Sequence, residues 1–285
     1  MKYIYTLLLV AAFSCSAFSQ RFGIMLGGGA NYYYGDMNDR VLTHEKLLRP
    51  YVAGGLLYRL SNRFDVWGAY IHGSVAGDDS LAVKYTIRNR NLSFESKIDE
   101  ASLNLGYRIL GDRKGRTRKV VPYIFAGIGG YHFKPTAELN GQDVDLQKLG
   151  TEGQYIEEDS YPEPYELYQI SVPAGVGVEF ALSRSWKLRL EAANHFLFTD
   201  YLDDLSTKYP DSASLAATPN GALAVLMSSN VKDGVFPDKG MKRGGSSVYD
   251  SFTHIGIWLM WSPSKAKSNS GPKKKKNKHN CPAYH

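Results

Sequence analysis

The stretch WKLRLEAANHFLF, residues 186–198, alternates apolar and polar side chains along its length. A period of two residues is typical of a β-strand whose two faces meet different surroundings. Its apolar face consists of Trp186, Leu188, Leu190, Ala192, Phe196 and Phe198. Its polar face consists of Lys187, Arg189, Glu191 and His195. A soluble sandwich would bury the apolar face, whereas a membrane barrel turns that face to lipid and pairs the charges inside.

The same alternation recurs along the chain often enough to predict about eight strands. Apolar rows occupy alternate residues of 22–34, 52–60, 101–109, 121–133, 170–180 and 253–261. The segment 64–74 also reads as a strand, but it is too mixed to assign a face. Aromatic residues cluster at the strand ends, which is typical of the two interfacial girdles of a membrane barrel. These clusters are Tyr32 to Tyr34, Tyr131 with Phe133, Phe196 with Phe198, and Trp258 with Trp261.

The connections between the predicted strands alternate between short and long. The short ones are residues 61–63, 111–118 and 183–185, and the long ones are 35–48, 77–90, 136–164 and 201–247. A membrane barrel with both ends of its mature chain in the periplasm requires this order, and a soluble sandwich gives no reason for it. We therefore predict an all-β fold, a transmembrane antiparallel up-and-down β-barrel of about eight strands in the outer membrane, with long extracellular loops.

The interior of such a barrel is just wide enough for side chains to fill it, so we expect no pore. Charged residues that face this interior must neutralise one another, because water is scarce there. The predicted interior network consists of Arg59, Glu100, Arg108, Glu179, Lys187, Arg189 and Glu191. We interpret this network as structural and not as a catalytic or proton-transferring group.

The stretch GGGANYYYGDM, residues 27–37, resembles a phosphate-binding loop in its glycine content. Such a loop needs a helix start after it and usually a lysine at its end, and neither follows here. We interpret the glycines at 27–29 as strand residues that relieve crowding inside the barrel. Tyr32 and Tyr34 are then predicted to lie near the outer lipid interface.

The two ends of the chain differ in composition from the middle. Residues 1–19 combine Lys2, a short apolar stretch and small residues, which predicts a signal peptide and hence export. A lipoprotein attached through Cys15 is the alternative, although the residues before Cys15 make a poor attachment motif. Without the signal peptide only Cys281 remains, so no internal disulfide is expected. The predicted domains are the barrel, residues 20–263, and a flexible basic tail, residues 264–285.

Positive charge is concentrated on the predicted periplasmic side of the barrel. The chain has a net charge of +6, and its tail contains seven lysines and no acidic residue. The predicted partner-binding residues are Arg113, Lys114, Arg116, Arg118, Lys119, Lys265, Lys267, Lys273, Lys274, Lys275, Lys276 and Lys278. Docking onto an acidic periplasmic partner is one interpretation, and a solvated tail weakly attracted to anionic lipid is the other. Nucleic acid is excluded as a partner by the location.

The sequence lacks the spacing of a metal or cofactor site, since its seven histidines are scattered without an HExxH motif. A lipid-modifying barrel enzyme would need a serine, a histidine and an acid, for which Ser251 with His254 or Glu191 with His195 are available. No nucleophile motif accompanies these pairs, so we expect a protein without enzymatic activity, metal or cofactor. The carboxylate pair 203–204 lies in a long predicted loop, where calcium binding or plain solvation explains it as well as catalysis does.

Four stretches of the chain together resemble a known family. They are GGGANYYYGDM at 27–37, RNRNLSF at 88–94, HFLFTDYLDDLSTKYPD at 195–211 and KGMKRGGSSVYDSF at 239–252. Over nearly the whole mature chain, the sequence resembles the PorG family, the outer-membrane barrel component of the type IX secretion system.

The resemblance implies a non-enzymatic barrel that associates with a periplasmic ring of PorK-like and PorN-like proteins. It also implies a need for this barrel in the secretion of proteins that carry a C-terminal sorting signal. We therefore expect the protein to anchor or position that ring, with outer-membrane lipids and the ring proteins as its partners. Two other function classes stay open: a structural or adhesive small barrel that acts through its extracellular loops, and a lipid-modifying enzyme.

Overall fold

The computed structural model describes residues 21–37, 45–112, 118–245 and 249–263. Its strands are β1 (Phe22–Tyr34), β2 (Arg49–Arg59), β3 (Phe64–Asp78), β4 (Ser93–Arg108), β5 (Val120–Leu139), β6 (Gln142–Asp145), β7 (Tyr168–Ala181), β8 (Trp186–Leu197) and β9 (Ser251–Trp261). Its α-helices are α1 (Tyr85–Arg90), α2 (Ser212–Ala216) and α3 (Gly221–Ser228). The predicted signal peptide and the predicted basic tail lie outside the described residues.

Eight of these strands form a closed antiparallel barrel. The hydrogen-bonded order is β4-β3-β2-β1-β9-β8-β7-β5, and β4 also pairs with β5, which closes the ring. The first and last strands meet in a continuous register from Ile24 opposite Trp261 to Tyr34 opposite Ser251. Strand β6 is a short hairpin partner of β5 outside the ring. This closed eight-stranded barrel confirms the predicted fold class.

The outer wall of the barrel is a continuous apolar belt. Large side chains in the outward rows are strongly exposed, as at Leu26 (67%) and Val52 (64%). Near the short turns, Trp186 of β8 pairs with Trp261 of β9, both on the outer face. Among the described helices, none is long and apolar enough to cross a membrane. The outward rows are what a lipid-facing surface requires.

The face of strand β5 that meets lipid differs from the sequence prediction. The row beginning at Val121 was expected to face lipid, yet Val121, Tyr123 and Phe133 are buried inside the barrel. The outward row of this strand contains Val120, Ile124 and Ile128. Both faces of β5 are apolar, because the barrel interior also needs bulky side chains to fill it. Apolar alternation therefore does not identify the lipid-facing side of this strand.

The aromatic clusters need a similar correction. Trp258, Tyr131 and Phe133 were expected in the interfacial girdles, but all three lie inside, with Trp258 only 2% exposed. Tyr32 is 4% exposed, so protein atoms cover it where an open lipid interface was expected. Gly27 makes room for the indole of Trp258, because a Cβ at residue 27 would lie 2.6 Å from that ring.

Glu179 is the centre of an ionic cluster near the short turns. Its carboxylate lies 2.8 Å from Lys187, 2.9 Å from Arg189, and 3.4 Å from both Arg59 and Arg108. Further carboxylates complete the cluster, since Asp65 pairs with Arg59 and Arg189, and Asp112 with Arg108. The structure thus brings together five of the residues named for the interior network.

The other two residues of that network lie further along the interior, in a second cluster. Glu100 Oε2 is 2.8 Å from Nδ1 of His195, whose Nε2 is 2.8 Å from Nδ1 of His254. Nε2 of His254 is 3.2 Å from Glu191, which also accepts a 2.6 Å hydrogen bond from Tyr123. The predicted single network is therefore two polar clusters, each with internal partners.

The two ends of the barrel are built differently. Short connections join β2 to β3, β4 to β5, and β7 to β8 at one end, which we call the turn end. The long connections at the opposite end, the loop end, fold over the barrel as a cap whose apolar core is continuous with that of the upper barrel. Core residues from these connections are Met37, Leu92, Leu146, Leu149, Tyr165, Leu202, Leu205, Leu215, Ala224 and Met227. Strands β3 and β5 extend past their predicted ends, to Asp78 and Leu139.

The Glu179 cluster generates a stability prediction. Glu179→Gln keeps the shape of the side chain but leaves four cations around a neutral group. We expect a loss of stability of about 3–5 kcal/mol, the usual effect of removing one partner of a buried ion pair. The measurement is the temperature at which the folded, fast-migrating band of the barrel disappears on an unheated SDS gel. Glu157→Gln, an exposed charge in the cap, is the control, and equal transition temperatures for the two variants would refute the assigned role.

Candidate functional site

The four stretches that carry the family resemblance meet in the cap. The hydroxyl of Tyr33, from the first stretch, lies 2.5 Å from Asp203 in the third and 2.9 Å from Asp250 in the fourth. Asp250 also accepts a 3.0 Å hydrogen bond from the backbone of Leu202. Burial, and the nearby charge of Asp203, raise the pKa of Asp250 well above its ordinary value. One tyrosine thus joins three parts of the chain that are far apart in sequence.

Arg90, from the second stretch, is tied to the other stretches by its guanidinium. It forms two 2.7 Å contacts with Asp79, whose carboxylate is fully buried. It also donates to the carbonyl of Arg243 at 2.5 Å and to the carbonyl of Asp36 at 3.2 Å. The backbone N–H of Gly245 donates to the Asp36 carboxylate, which links the first stretch to the fourth directly.

Arg243 is the central cation of the cap. Its guanidinium lies 3.1 Å from Glu152 and 3.4 Å from Asp204, and it donates to the carbonyl of Ser228 at 3.0 Å. Glu152 in turn accepts from the backbone of Ser206 at 3.0 Å and from the hydroxyl of Thr207 at 2.5 Å. All three charged side chains are buried. This buried network joins distant parts of the connection between β8 and β9 to each other and to the connection that precedes β7.

Asp204 is buried, so plain solvation does not explain this member of the carboxylate pair 203–204. It accepts hydrogen bonds from the hydroxyls of Thr151 and Tyr165. Burial raises the pKa of Asp204 to about 6, although Arg243 and these hydroxyls favour its charged form. Among the described residues, no group of three or more histidine, cysteine or acidic side chains is arranged to hold a metal ion.

Two clefts lie on the surface above this network. The first, of about 800 Å³, is lined by Lys208, Lys239 and Lys242, with hydroxyl-bearing side chains between them. These hydroxyls belong to Ser160, Tyr161, Ser206, Thr207 and Tyr209. Its one acidic lining residue is Glu152, which is already paired with Arg243.

The second cleft, of about 700 Å³, continues from the first, because both include Tyr209, Lys242 and Gly244. It adds the cationic side chains of Lys84 and Arg90, of which Arg90 is paired with Asp79, and the carboxylate of Asp36. The backbones of residues 208 and 242 are bridged as antiparallel neighbours, which places their exposed lysines side by side. We call the two clefts together the basic cleft; its chemistry suits the binding of an anionic group.

Most of the partner-binding residues predicted at the turn end lie outside the part of the chain that the structure describes. Arg113, Lys114, Arg116 and the seven tail lysines lie outside the described residues. Arg118 is described, and its guanidinium donates to the carbonyl of Gly111 at 2.9 Å within the same turn. Lys119 is exposed beside β5. Docking at the turn end therefore stays a prediction.

The residue pairs considered for catalysis are placed unfavourably. Ser251 belongs to the outward row of β9, whereas His254 faces the barrel interior, so their side chains lie on opposite sides of the wall. Glu191 and His195 both lie inside, and each hydrogen-bonds to His254. The barrel wall separates the first pair, and the second pair is buried. Neither pair therefore presents a nucleophile and a base to a substrate.

The sequence reading did not single out the basic cleft or the buried network beneath it. Lys208 and Lys242 lie within the third and fourth stretches of the resemblance. Their place in these stretches was the one feature of the sequence that could have indicated the cleft. No local pattern marks Glu152 as a partner of Arg243, because the two residues are 91 positions apart in sequence.

Residues 1–224 match a protein family described as a domain of unknown function, DUF6089. The chain belongs to this family. No curated protein matches this member of DUF6089.

Among solved structures, the chain is similar to the Neisserial surface protein A, with 9% identity and a TM-score of 0.40 over 85% of this chain and 97% of the other. It is also similar to the outer membrane protein OprG from Pseudomonas aeruginosa, with 10% identity and a TM-score of 0.39 over 86% and 98%. The outer membrane enzyme PagL gives 12% identity and a TM-score of 0.30 over 85% and 99%.

The position of Arg243 generates a prediction about the cap of this family member. Arg243→Met leaves Glu152 and Asp204 buried without their cation, which costs about 3–5 kcal/mol in comparable cases. We expect the cap to open while the barrel stays folded. The measurement is limited proteolysis, with cleavage expected within residues 201–245 and the heat-dependent gel shift of the barrel retained.

The matched control is the neighbouring Lys242→Met, which removes an exposed cation from the same loop. It should resist protease as the unmodified protein does. Equal resistance of the two variants would show that the Arg243 network does not hold the cap.

Proposed function

We propose that this protein is a non-conducting outer-membrane barrel that acts as a scaffold in a type IX secretion system. In this proposal it is a PorG-like component with both mature ends in the periplasm and the cap outside the cell. Its role is to anchor or position the periplasmic ring of PorK-like and PorN-like proteins. The work is mechanical, and no chemical step is assigned to any of its residues.

The observation that carries the proposal is the meeting of the four resemblance stretches in one buried network. Alternating apolar residues occur in every membrane barrel. A resemblance confined to strands would therefore support a shared fold but not a shared role. Here the stretches include Tyr33, Arg90, Asp203 and Arg243, which contact one another or a shared neighbour in the cap. Similarity at such positions indicates a shared folded element beyond the barrel, and this supports a shared role.

The packed interior supports a scaffold over a channel. The Glu179 cluster near the turn end and the histidine cluster further along occupy the space that a substrate would need. A polypeptide could not pass without removing charged groups from their buried partners, which is costly. Secreted proteins would therefore take another route, and this barrel would hold other components in place.

The predicted contact with the ring is at the turn end. The turn 111–119 and the lysine-rich tail are both basic in sequence and would face the periplasm together. A run of lysines is attracted to an acidic surface, so it is well suited to tethering a ring beneath the membrane.

A second candidate is a structural or adhesive barrel whose cap binds something outside the cell. The basic cleft favours this candidate, because it presents three lysines on a concave surface of the cap. The two candidates place the essential contact at opposite ends of the molecule, so truncation at one end and substitution at the other distinguish them.

The test is affinity purification of tagged protein from detergent-solubilised outer membrane, with co-purified proteins identified by mass spectrometry. Three forms are compared: the full chain, a chain that ends after Pro263, and Lys208→Gln with Lys242→Gln in the full chain. We expect the ring proteins with the full chain and with the cleft variant, and at least a tenfold lower yield with the truncated chain. The gel shift on heating serves as the folding control for all three.

Two results would contradict the scaffold proposal. If no form brings the ring proteins, the resemblance reports fold alone and the cap-binding barrel becomes the better account. If the truncated chain retains them and the cleft variant loses them, the contact is made by the cap.

A further inference from the structure

The outer wall of the barrel carries a polar patch on the β3, β4 and β5 side of its loop end. Strand pairing aligns three successive outward rows there. The row nearest the middle of the barrel is Tyr70, Ala101, Gly130 and Ile170. The next row is His72, Asp99, His132 and Tyr168. The third row is Ser74, Lys97 and Lys134.

A groove of about 710 Å³ runs over the first two rows. Its floor is formed by the small residues Ala101 and Gly130, and a Cβ at residue 130 would meet nothing within 4 Å. Its walls include the rings of Tyr70 and Tyr168, of which Tyr168 is 76% exposed. Below it the belt continues with Ile128, also exposed, so the groove opens onto the apolar surface.

Two lysines stand directly above the groove. Lys97 and Lys134 are opposite each other on β4 and β5, and both point outward. Like charges directly opposite on neighbouring strands repel each other unless an anion lies between them. Lys134 has one carboxylate at 3.4 Å, that of Asp145. In the part of the chain that the structure describes, no ion pair is formed by Lys97.

Two other acidic side chains of β4, those of Asp99 and Glu95, have partners of their own. Asp99 lies 2.5 Å from the hydroxyl of Tyr70 and 2.7 Å from Nδ1 of His72. Glu95 contacts Arg49 at 2.9 Å and accepts a 2.8 Å hydrogen bond from Ser74. The lysine pair therefore retains attraction for an anion from outside the chain.

The height of the lysine pair matches the edge of the apolar belt. Tyr107, at the turn-end girdle, packs against Phe64 with ring centroids 5.3 Å apart. Lys97 lies ten residues from Tyr107 along β4. At about 3.4 Å per residue and a tilt of about 40°, that interval spans about 26 Å, close to the height of the lipid-facing band of membrane barrels. The lysines thus lie at the level of lipid phosphates, with the groove just inside the acyl region.

We propose that this outer-wall groove binds the phosphorylated, acylated glucosamine lipid of the outer leaflet. A phosphate would lie between Lys97 and Lys134, and an acyl chain would lie over Ala101 and Gly130 between the two tyrosine rings. The choice of leaflet rests on the orientation given in the proposed function, in which the loop end faces outward. The binding itself is independent of the secretion role, so loss of ring proteins in the purification would leave it standing.

The test is lipid binding to the full-length protein in detergent, measured by native mass spectrometry with bisphosphorylated lipid A as the probe. Lys97→Gln with Lys134→Gln should weaken binding by about 30-fold, since each lysine near a lipid surface contributes about fivefold. Gly130→Leu places a side chain in the groove, at a residue where a Cβ would meet nothing within 4 Å, and should weaken binding with both lysines intact. Lys46→Gln with Lys232→Gln removes two exposed loop-end lysines that line neither the groove nor the basic cleft and is the matched control, for which unchanged affinity is expected.

Two further probes test the chemistry. Dephosphorylated lipid A should bind about as weakly as the double lysine variant binds the intact lipid, and phosphatidylglycerol should bind more weakly than intact lipid A. Equal affinity of all variants for intact lipid A would overturn the site, as would equal binding of the dephosphorylated lipid. Equal binding of phosphatidylglycerol would overturn the assignment to the outer leaflet. The heat-dependent gel shift shows that each variant is folded.

Discussion

Every charge that points into this barrel has to be neutralised inside it, because eight closed strands leave no water-filled channel. The arrangement around Glu179 meets this constraint, with Asp65 and Asp112 balancing the cations that one carboxylate cannot. The same constraint fills the rest of the interior with aromatic rings and paired histidines. In the proposed function, the molecule therefore acts at its two ends and on its outer wall.

The loop end is a second folded unit and not a set of independent loops. Its apolar core is continuous with the upper barrel, and its long connections are joined by buried charges such as Arg243, Glu152 and Asp204. Buried ion pairs are costly to assemble but penalise every alternative arrangement that leaves one partner alone. The cap can therefore present the basic cleft with a defined shape, which mobile loops could not do.

The barrel could be predicted from the sequence because the patterns that indicate it are local. These patterns are a period of two residues within strands and an alternation of short and long connections between them. The same signal failed for Tyr123, since it distinguishes two faces but not which of two apolar faces meets lipid. Trp258 was misplaced by a different signal, the clustering of aromatic residues at strand ends. The cap was not accessible in this way. Glu152 and Arg243 looked like ordinary loop charges, and only the fold shows that they are neighbours. The outer-wall lysines were hidden for the same reason, because they are paired by register between strands.

The claim on which this account depends is that the barrel is sealed. Single-channel recording in planar lipid bilayers tests it most directly, with the purified full-length protein reconstituted beside a known porin that shows the bilayer to be competent. The account requires that insertion, verified by recovery of folded protein from the membrane, produces no stable conductance steps. Reproducible open channels of uniform size would contradict the sealed interior and, with it, the scaffold role.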